Sequence, residues 1–276
     1  MPNGDEHRDL EREFTALGID VATPGFCDSQ AFIGAEANDR DLLLKYGSFV
    51  RGRPCDVAYA DRVRRRVPQV TEFLTRELAR DGRLGACIDV SGVALKFLER
   101  EDIWGYGAIG SLVVDFVNPA GRRVILHHFM HPENPARAGH AWLCIPPFDI
   151  VDLTVQAQTG FTDDERRRLS PILAEGAPAV AEVMVEELAE PELRELFLRD
   201  RRRAGRIEDF VSAPLQNYWE RSPARVITMP SVRLKYIECG IMATDGAPLE
   251  QMRNLMLSGR APLELHADFI ARFPRE

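Results

Sequence analysis

Residues 140–154 read HAWLCIPPFDIVDLT, and the architecture expected for the middle of the chain follows from this stretch. Its two short apolar segments, HAWLCI at 140–145 and IVDLT at 150–154, each predict a β-strand. If the loop between them is about residues 146–148, the strands form an antiparallel hairpin. His140 and Asp152 are then diagonal neighbours on one face, whereas a register slip of one residue would put them on opposite faces.

The sequence before this hairpin predicts one helix and two more strands. Residues 87–100 have the composition of a buried helix, and SLVVDFV at 111–117 and VILHHF at 124–129 are typical of strands. Between the strands, Asn118-Pro119-Ala120-Gly121 fits a type I turn. The middle of the chain is therefore predicted to be a helix followed by an antiparallel meander.

Helices dominate the predictions for both flanks. Before the core, apolar spacing favours helices at about 9–17, 39–46 and 61–80. After it, we expect helices at 163–173, 179–188 and 191–203, β structure at 225–239 interrupted at Pro230, and short helices from Pro248. The expected organisation is a helical N-terminal extension at 1–80, a core at 81–160 and a mainly helical C-terminal region at 161–276 with a β segment near 225–239.

Composition limits the class of protein. The chain has 276 residues, of which 45% are hydrophobic and 28% charged, and 35 basic against 43 acidic residues give a net charge of 35 − 43 = −8. An acidic chain without a long apolar run or a secretory leader predicts no nucleic-acid partner, no membrane span and a cytoplasmic location. Five scattered cysteines argue against a disulfide framework.

Cys87 is the candidate nucleophile. It starts the predicted buried helix in GACIDVSGVALKFLE, and Gly85 and Ala86 before it leave room for a ligand. A helix N-terminus lowers the pKa of a thiol, and its free N–H groups can also hold an oxyanion. Taken alone, a cysteine at such a position is more often inert core.

His140 and Asp152 are the candidate base and orienting carboxylate. Along a strand, His140 shares one face with Trp142 and Cys144, and Trp142 is expected to pack rather than to stack on a ligand. Asp152 in an apolar strand needs a partner, which an imidazole N–H on the next strand would supply. Asp149, after Pro-Pro-Phe, is predicted to be a turn residue, and Asp89 to face solvent or to be a charge of the helix cap region.

The order Cys, His, Asp on these elements resembles the transglutaminase-like superfamily of papain-fold cysteine enzymes. The resemblance rests on G-A-C-I-D-V-S-x-x-A-L-x-F-L, then H-A-W-L, then I-V-D-L-T, and covers about residues 80–158. It implies an α+β fold in which a central helix packs on an antiparallel sheet, with helical N- and C-terminal extensions. It also implies Cys87, His140 and Asp152 as a catalytic triad. Gln69 and Tyr59 are candidates for a second oxyanion donor.

The predicted function is cysteine-dependent acyl transfer at an amide or ester carbonyl through a Cys87 thioester, by hydrolysis, proteolysis or transamidation. Expected partners are a peptide, amide or amine substrate and a carrier or partner protein bound by the C-terminal region; neither cofactor nor metal is expected. The alternative is a catalytically inactive binding or scaffold protein with the same fold.

Two other patterns have competing interpretations. A third hypothesis for the function is a zinc-binding protein, because several residues of metal-ligand type lie close together in the sequence. These residues are His127, His128, His131, His140 and Cys144. Three arginine runs, at 62–66, 165–168 and 199–203, are interpreted mainly as solvated helix faces with ion pairs, and a basic groove for nucleic acid is the lesser alternative.

Overall fold

The computed structural model describes residues 4–117, 121–130, 139–199, 206–242, 248–253 and 255–275. Of the described residues, 47% are helical and 21% lie in strands, so the fold is mixed, and its sheet pairing is antiparallel. Among the described residues, no helix combines the length and the apolar composition needed to cross a bilayer. The predicted turn at Asn118, Pro119 and Ala120 falls outside the described residues.

The helices are α1 Gly4–Ala16, α2 Gln30–Glu36, α3 Leu42–Gly52, α4 Val57–Asp81, α5 Cys87–Glu99, α6 Asp163–Arg168, α7 Val185–Leu188, α8 Pro191–Arg199, α9 Ala213–Arg221 and α10 Pro262–Arg272. The strands are β1 Tyr106–Phe116, β2 Arg123–Leu126, β3 His140–Ile145, β4 Phe148–Asp152, β5 Leu173–Glu175, β6 Ala179–Ala181, β7 Ala224–Thr228 and β8 Val232–Ile241.

Contacts divide the chain into two compact units. The first comprises Met1–Gly107, Trp142–Gly176 and Met242–Glu276, and the second comprises Ala108–Ala141 and Ala177–Ile241. The boundaries between these segments fall after Gly107, Ala141, Gly176 and Ile241.

Helix α5 is the buried helix of the first unit. Every residue from Val90 to Leu98 is buried, which is the pattern of a helix enclosed on all sides. Its apolar side chains share one core cluster with α4, with Leu143 and Ile145 of β3 and Val151 of β4, and with Phe269 of α10. The predicted packing of a central helix with antiparallel strands is thus present in this unit.

Helix α4, which packs beside α5, starts earlier than predicted. The expected start was Asp61, but the Asp56 side chain accepts a hydrogen bond from the Tyr59 backbone N–H at 2.8 Å and caps a helix that begins at Val57. The helix ends at Asp81, and Gly82 caps it in the left-handed conformation, as the sequence indicates.

The second unit shows the main departure from the predicted meander. Its strands follow the order β1-β8-β7-β6, and β2 pairs with the other side of β1. Strand β1 is antiparallel to β8 from Ala108↔Ile241 to Phe116↔Val232, a pairing between segments more than a hundred residues apart. A Cβ at Gly110 would lie 1.9 Å from the Ile237 carbonyl oxygen, so only glycine fits there.

The predicted helix at 179–188 is wrong in its first half. Ala179–Ala181 form β6, whose residues pair with Ala224–Val226 of β7, and only Val185–Leu188 are helical. A short run of apolar residues is compatible with a helix or a strand, and here pairing with the distant strand β7 stabilises the strand.

Candidate active site

Cys87 is the first residue of α5 and is 5% exposed. The first hydrogen bond of the helix runs from the Val90 N–H to the Ala86 carbonyl oxygen at 2.9 Å. The N–H groups of the first turn therefore have no partner inside the helix. Within the described part of the chain, no side chain caps this end. The thiol thus lies at the positive end of the helix dipole, beside N–H groups of a kind that can hold an oxyanion.

The segment before Cys87 is tied to the segment after Asp152. Gly85 has φ +73°, a left-handed conformation that favours glycine, and its N–H donates to the Ala157 carbonyl oxygen at 2.8 Å. Ala157 ends the 3-10 turn Val155–Ala157. The loop leading to the thiol is therefore held by the turn that follows β4.

Asp152, the last residue of β4, is fully buried and organises that turn. Its Oδ1 accepts from the Thr154 N–H at 2.9 Å, the Thr154 hydroxyl at 3.2 Å and the Val155 N–H at 3.0 Å. These three donors are neutral, so they fix the carboxylate without adding a positive charge. Thr154 was missed from the sequence, although the Asp-x-Thr spacing is a known turn signal.

His140 is the first residue of β3 and is 2% exposed. By its contacts it belongs to the second unit, where its ring centroid lies 6.2 Å from that of Tyr236. A Cβ at the preceding Gly139 would lie 2.2 Å from the Gly110 carbonyl oxygen. Tight packing against β1 therefore fixes the start of the strand that carries the imidazole.

All three predicted residues are buried, and Cys87 and His140 begin their elements as predicted. The strand predicted at 150–154 is instead Phe148–Asp152, so Asp152 ends its strand rather than lying inside it. Cys87 and Asp152 belong to the first unit, in which one hydrogen-bonded segment connects their surroundings, and His140 belongs to the second. Trp142 is 2% exposed and packs inside the first unit, as expected.

The two proposed second oxyanion donors lie elsewhere. The Tyr59 hydroxyl accepts from the Trp104 N–H at 2.9 Å, and Gln69 accepts from the Arg66 guanidinium at 2.8 Å. Both lie near the C-terminal end of α5, about 20 Å from its first residue for a helix of this length. The first-turn N–H groups of α5, including that of Ile88, are donors near the thiol.

Asp149 and Asp89, the other aspartates considered near the candidate triad, have different surroundings. Asp149 is part of β4 rather than a turn, and its carboxylate lies 3.2 Å from the Arg51 guanidinium, so the predicted turn position was wrong. Asp89 lies in the first turn of α5 and is only partly exposed.

The histidines considered for zinc do not form a cluster in the described ranges. The His127 ring lies 3.0 Å from the Glu186 carbonyl oxygen, and burial lowers the pKa of both His127 and His128. Across the residues that the structure describes, no group of three or more His, Cys, Asp or Glu side chains could hold a metal. His131 falls outside these residues.

The chain was also compared with known proteins. No protein-family model matches it, and searches of curated proteins and of solved structures found no match.

Proposed function

We propose that the protein is a transglutaminase-like cysteine enzyme with a papain-like core, which transfers acyl groups from amide or ester carbonyls through a thioester on Cys87. Cys87 is the nucleophile, His140 the general base and acid, and Asp152 the carboxylate that orients His140.

The chemistry follows from these roles. The Cys87 sulfur attacks the carbonyl carbon while His140 takes the thiol proton, and the first-turn N–H groups of α5 stabilise the oxyanion. His140 then returns the proton to the leaving amine or alcohol, and the thioester remains. Water, deprotonated by His140, gives hydrolysis, and an amine in its place gives a new amide. The buried negative charge of Asp152 stabilises the imidazolium in both steps.

One observation carries the proposal. The Asp152 carboxylate holds the turn Val155–Ala157, and the Ala157 carbonyl oxygen holds Gly85 two residues before the thiol. Packing alone does not require a fully buried carboxylate and a cysteine at an uncapped helix start to share such a connection. The net charge of −8 favours cationic acyl acceptors such as amines or basic peptides. The C-terminal region is the proposed site for a carrier or partner protein.

Selective alkylation tests the proposal. Cys55 is exposed, so Cys55→Ser supplies a background in which the remaining thiols are buried or, for Cys27, only partly exposed. Burial raises the pKa of the Cys27 and Cys239 thiols, which keeps them protonated at neutral pH. In this background we expect iodoacetamide to modify Cys87 about tenfold or more faster than any other cysteine. Cys87→Ser should abolish the fast phase, and His140→Gln should slow it.

Intact-mass analysis with p-nitrophenyl acetate then identifies the intermediate. We expect one acetyl group on Cys87, removed by water and faster by an added amine. Uniformly slow alkylation and no acetyl adduct would contradict catalysis and favour the inactive binding protein. Stoichiometric zinc that is lost in His128→Ala would favour the zinc protein instead.

A further inference from the structure

Arginine side chains line a pocket at the other end of α5, entirely within the first unit. The pocket has a volume of about 270 Å³ and lies between α4, the segment after α5 and the residues that follow α10. Five of its lining residues are arginines: Arg62, Arg65, Arg66, Arg100 and Arg275. The lining acidic residues are Glu101 and Asp102, so the formal charge is 5 − 2 = +3. This cationic pocket stands out in a chain whose net charge is −8.

The protein holds the innermost guanidinium in a fixed position. Arg66 is 8% exposed and donates to the Gln69 side chain at 2.8 Å and to the Phe273 carbonyl oxygen at 3.1 Å. It also lies 3.1 Å from the Glu101 carboxylate and over the Phe269 ring. Such a side chain loses little conformational entropy when a ligand binds.

Part of the positive charge is not neutralised by these contacts. Glu101 is shared, because Arg275 also lies 3.1 Å from its carboxylate. Arg62 donates to a neutral acceptor, the Asp102 carbonyl oxygen, at 3.3 Å. In the described part of the chain, no acceptor is hydrogen-bonded to the buried Nε of Arg62 or of Arg66. Arg100 pairs with Glu250, a half-exposed residue that does not line the pocket.

We propose that this arginine pocket binds a small anion that carries a diphosphate group. The planar guanidinium forms paired hydrogen bonds with phosphate oxygens, and the charge of the lining exceeds what one carboxylate could balance. The volume admits a compact anion and is too small for a nucleic-acid duplex. The site lies about 20 Å along α5 from Cys87, so it is separate from the proposed catalytic residues.

The run RVRRR at 62–66 offers matched variants. Arg62 and Arg65 line the pocket, whereas Arg64, on the same helix, pairs with Asp61 and is 56% exposed. The test variant is Arg62→Gln with Arg65→Gln. The control is Arg64→Gln with Arg76→Gln, which removes the same charge from α4 outside the pocket.

Calorimetric titration of the full chain with inorganic pyrophosphate tests the proposal. We expect saturable binding that weakens with salt, a loss of about tenfold or more in the test variant, and less than about a twofold change in the control. Asp102→Asn removes an acidic lining residue, and asparagine tolerates its φ of +54°, so this variant should bind more tightly. That gain would exclude simple misfolding as the cause of the loss.

Two nucleotides distinguish the sources of the diphosphate. ADP binding as tightly as pyrophosphate, with AMP about tenfold weaker, would support a nucleotide diphosphate. Pyrophosphate binding with neither nucleotide bound would support a free diphosphate. Absence of pyrophosphate and ADP binding, or an equal loss in test and control variants, would overturn the proposal.

Discussion

The two ends of helix α5 hold buried carboxylates in opposite ways. Near its first residue, Asp152 is fully buried and its Oδ1 contacts neutral N–H and O–H donors from Thr154 and Val155. Beyond its last residue, Glu101 is 9% exposed and lies against two guanidinium groups, Arg66 and Arg275. Arginines neutralise a carboxylate, whereas neutral donors orient it without adding a compensating positive charge. Burial alone therefore does not identify a functional carboxylate, and the chemistry of its partners does.

The sharpest test of this contrast separates the shape of Asp152 from its charge. Asp152→Ala removes three hydrogen bonds from a fully buried turn, and we expect the free energy of unfolding to fall by about 2–4 kcal/mol. Asp152→Asn keeps the acceptor oxygen, so it should cost no more than about 1 kcal/mol while lowering acyl transfer at least about a hundredfold. Urea denaturation and the rate of acetyl transfer measure the two effects. Normal acyl-transfer activity in the Asp152→Asn variant would show that the charge of Asp152 has no catalytic role.

At the C-terminal end of α5, Glu99 gives a pH-dependent test. Burial raises the pKa of Glu99 to about 7, although the neighbouring Lys96 ammonium opposes this shift. Because the folded state holds this proton more tightly than the unfolded chain, stability falls as pH rises from about 4.5 to about 7. Glu99→Gln removes the titration, and Lys96 still pairs with Asp28.

The measurement is urea denaturation of wild type and Glu99→Gln at about pH 5 and pH 8. We expect wild type to lose on the order of 1–3 kcal/mol relative to the variant between these values. Parallel stability curves for the two proteins would show that Glu99 has an ordinary pKa in the fold.

Local sequence signals predicted the elements that carry the candidate site. Strand β3 spans residues 140–145 as expected, because a short apolar run and two following prolines define it, and α5 begins at Cys87 as expected. The pairing of β1 with β8 was not predictable, since it joins segments more than a hundred residues apart. The β strand at Ala179–Ala181 was missed for the same reason, because its partner is β7.

The connection between Gly85 and Ala157 also lay beyond sequence reasoning. It depends on a backbone hydrogen bond between the Gly85 N–H and the Ala157 carbonyl oxygen. Every residue other than proline has a backbone N–H donor and a carbonyl acceptor, so the residue types do not indicate which two will pair. The arginine pocket shows the same limit. The pattern at 62–66 predicted a helix face with ion pairs, which Arg64 and Asp61 form, but only folding brings Arg275 to the same place.

The smallest expected effect tests whether the Gly85 backbone supports Cys87. Gly85→Ala puts a Cβ at φ +73°, where it would meet only the Thr159 methyl at 3.5 Å, so we expect a cost of about 1 kcal/mol from backbone strain. Gly82→Ala is the matched control, because Gly82 has φ +72° and its Cβ would meet nothing within 4 Å. Both variants should lose similar stability, but only Gly85→Ala should slow the alkylation of Cys87. If the two slow it equally, the effect is general loosening, and the link from Asp152 through Ala157 to the thiol has no functional role.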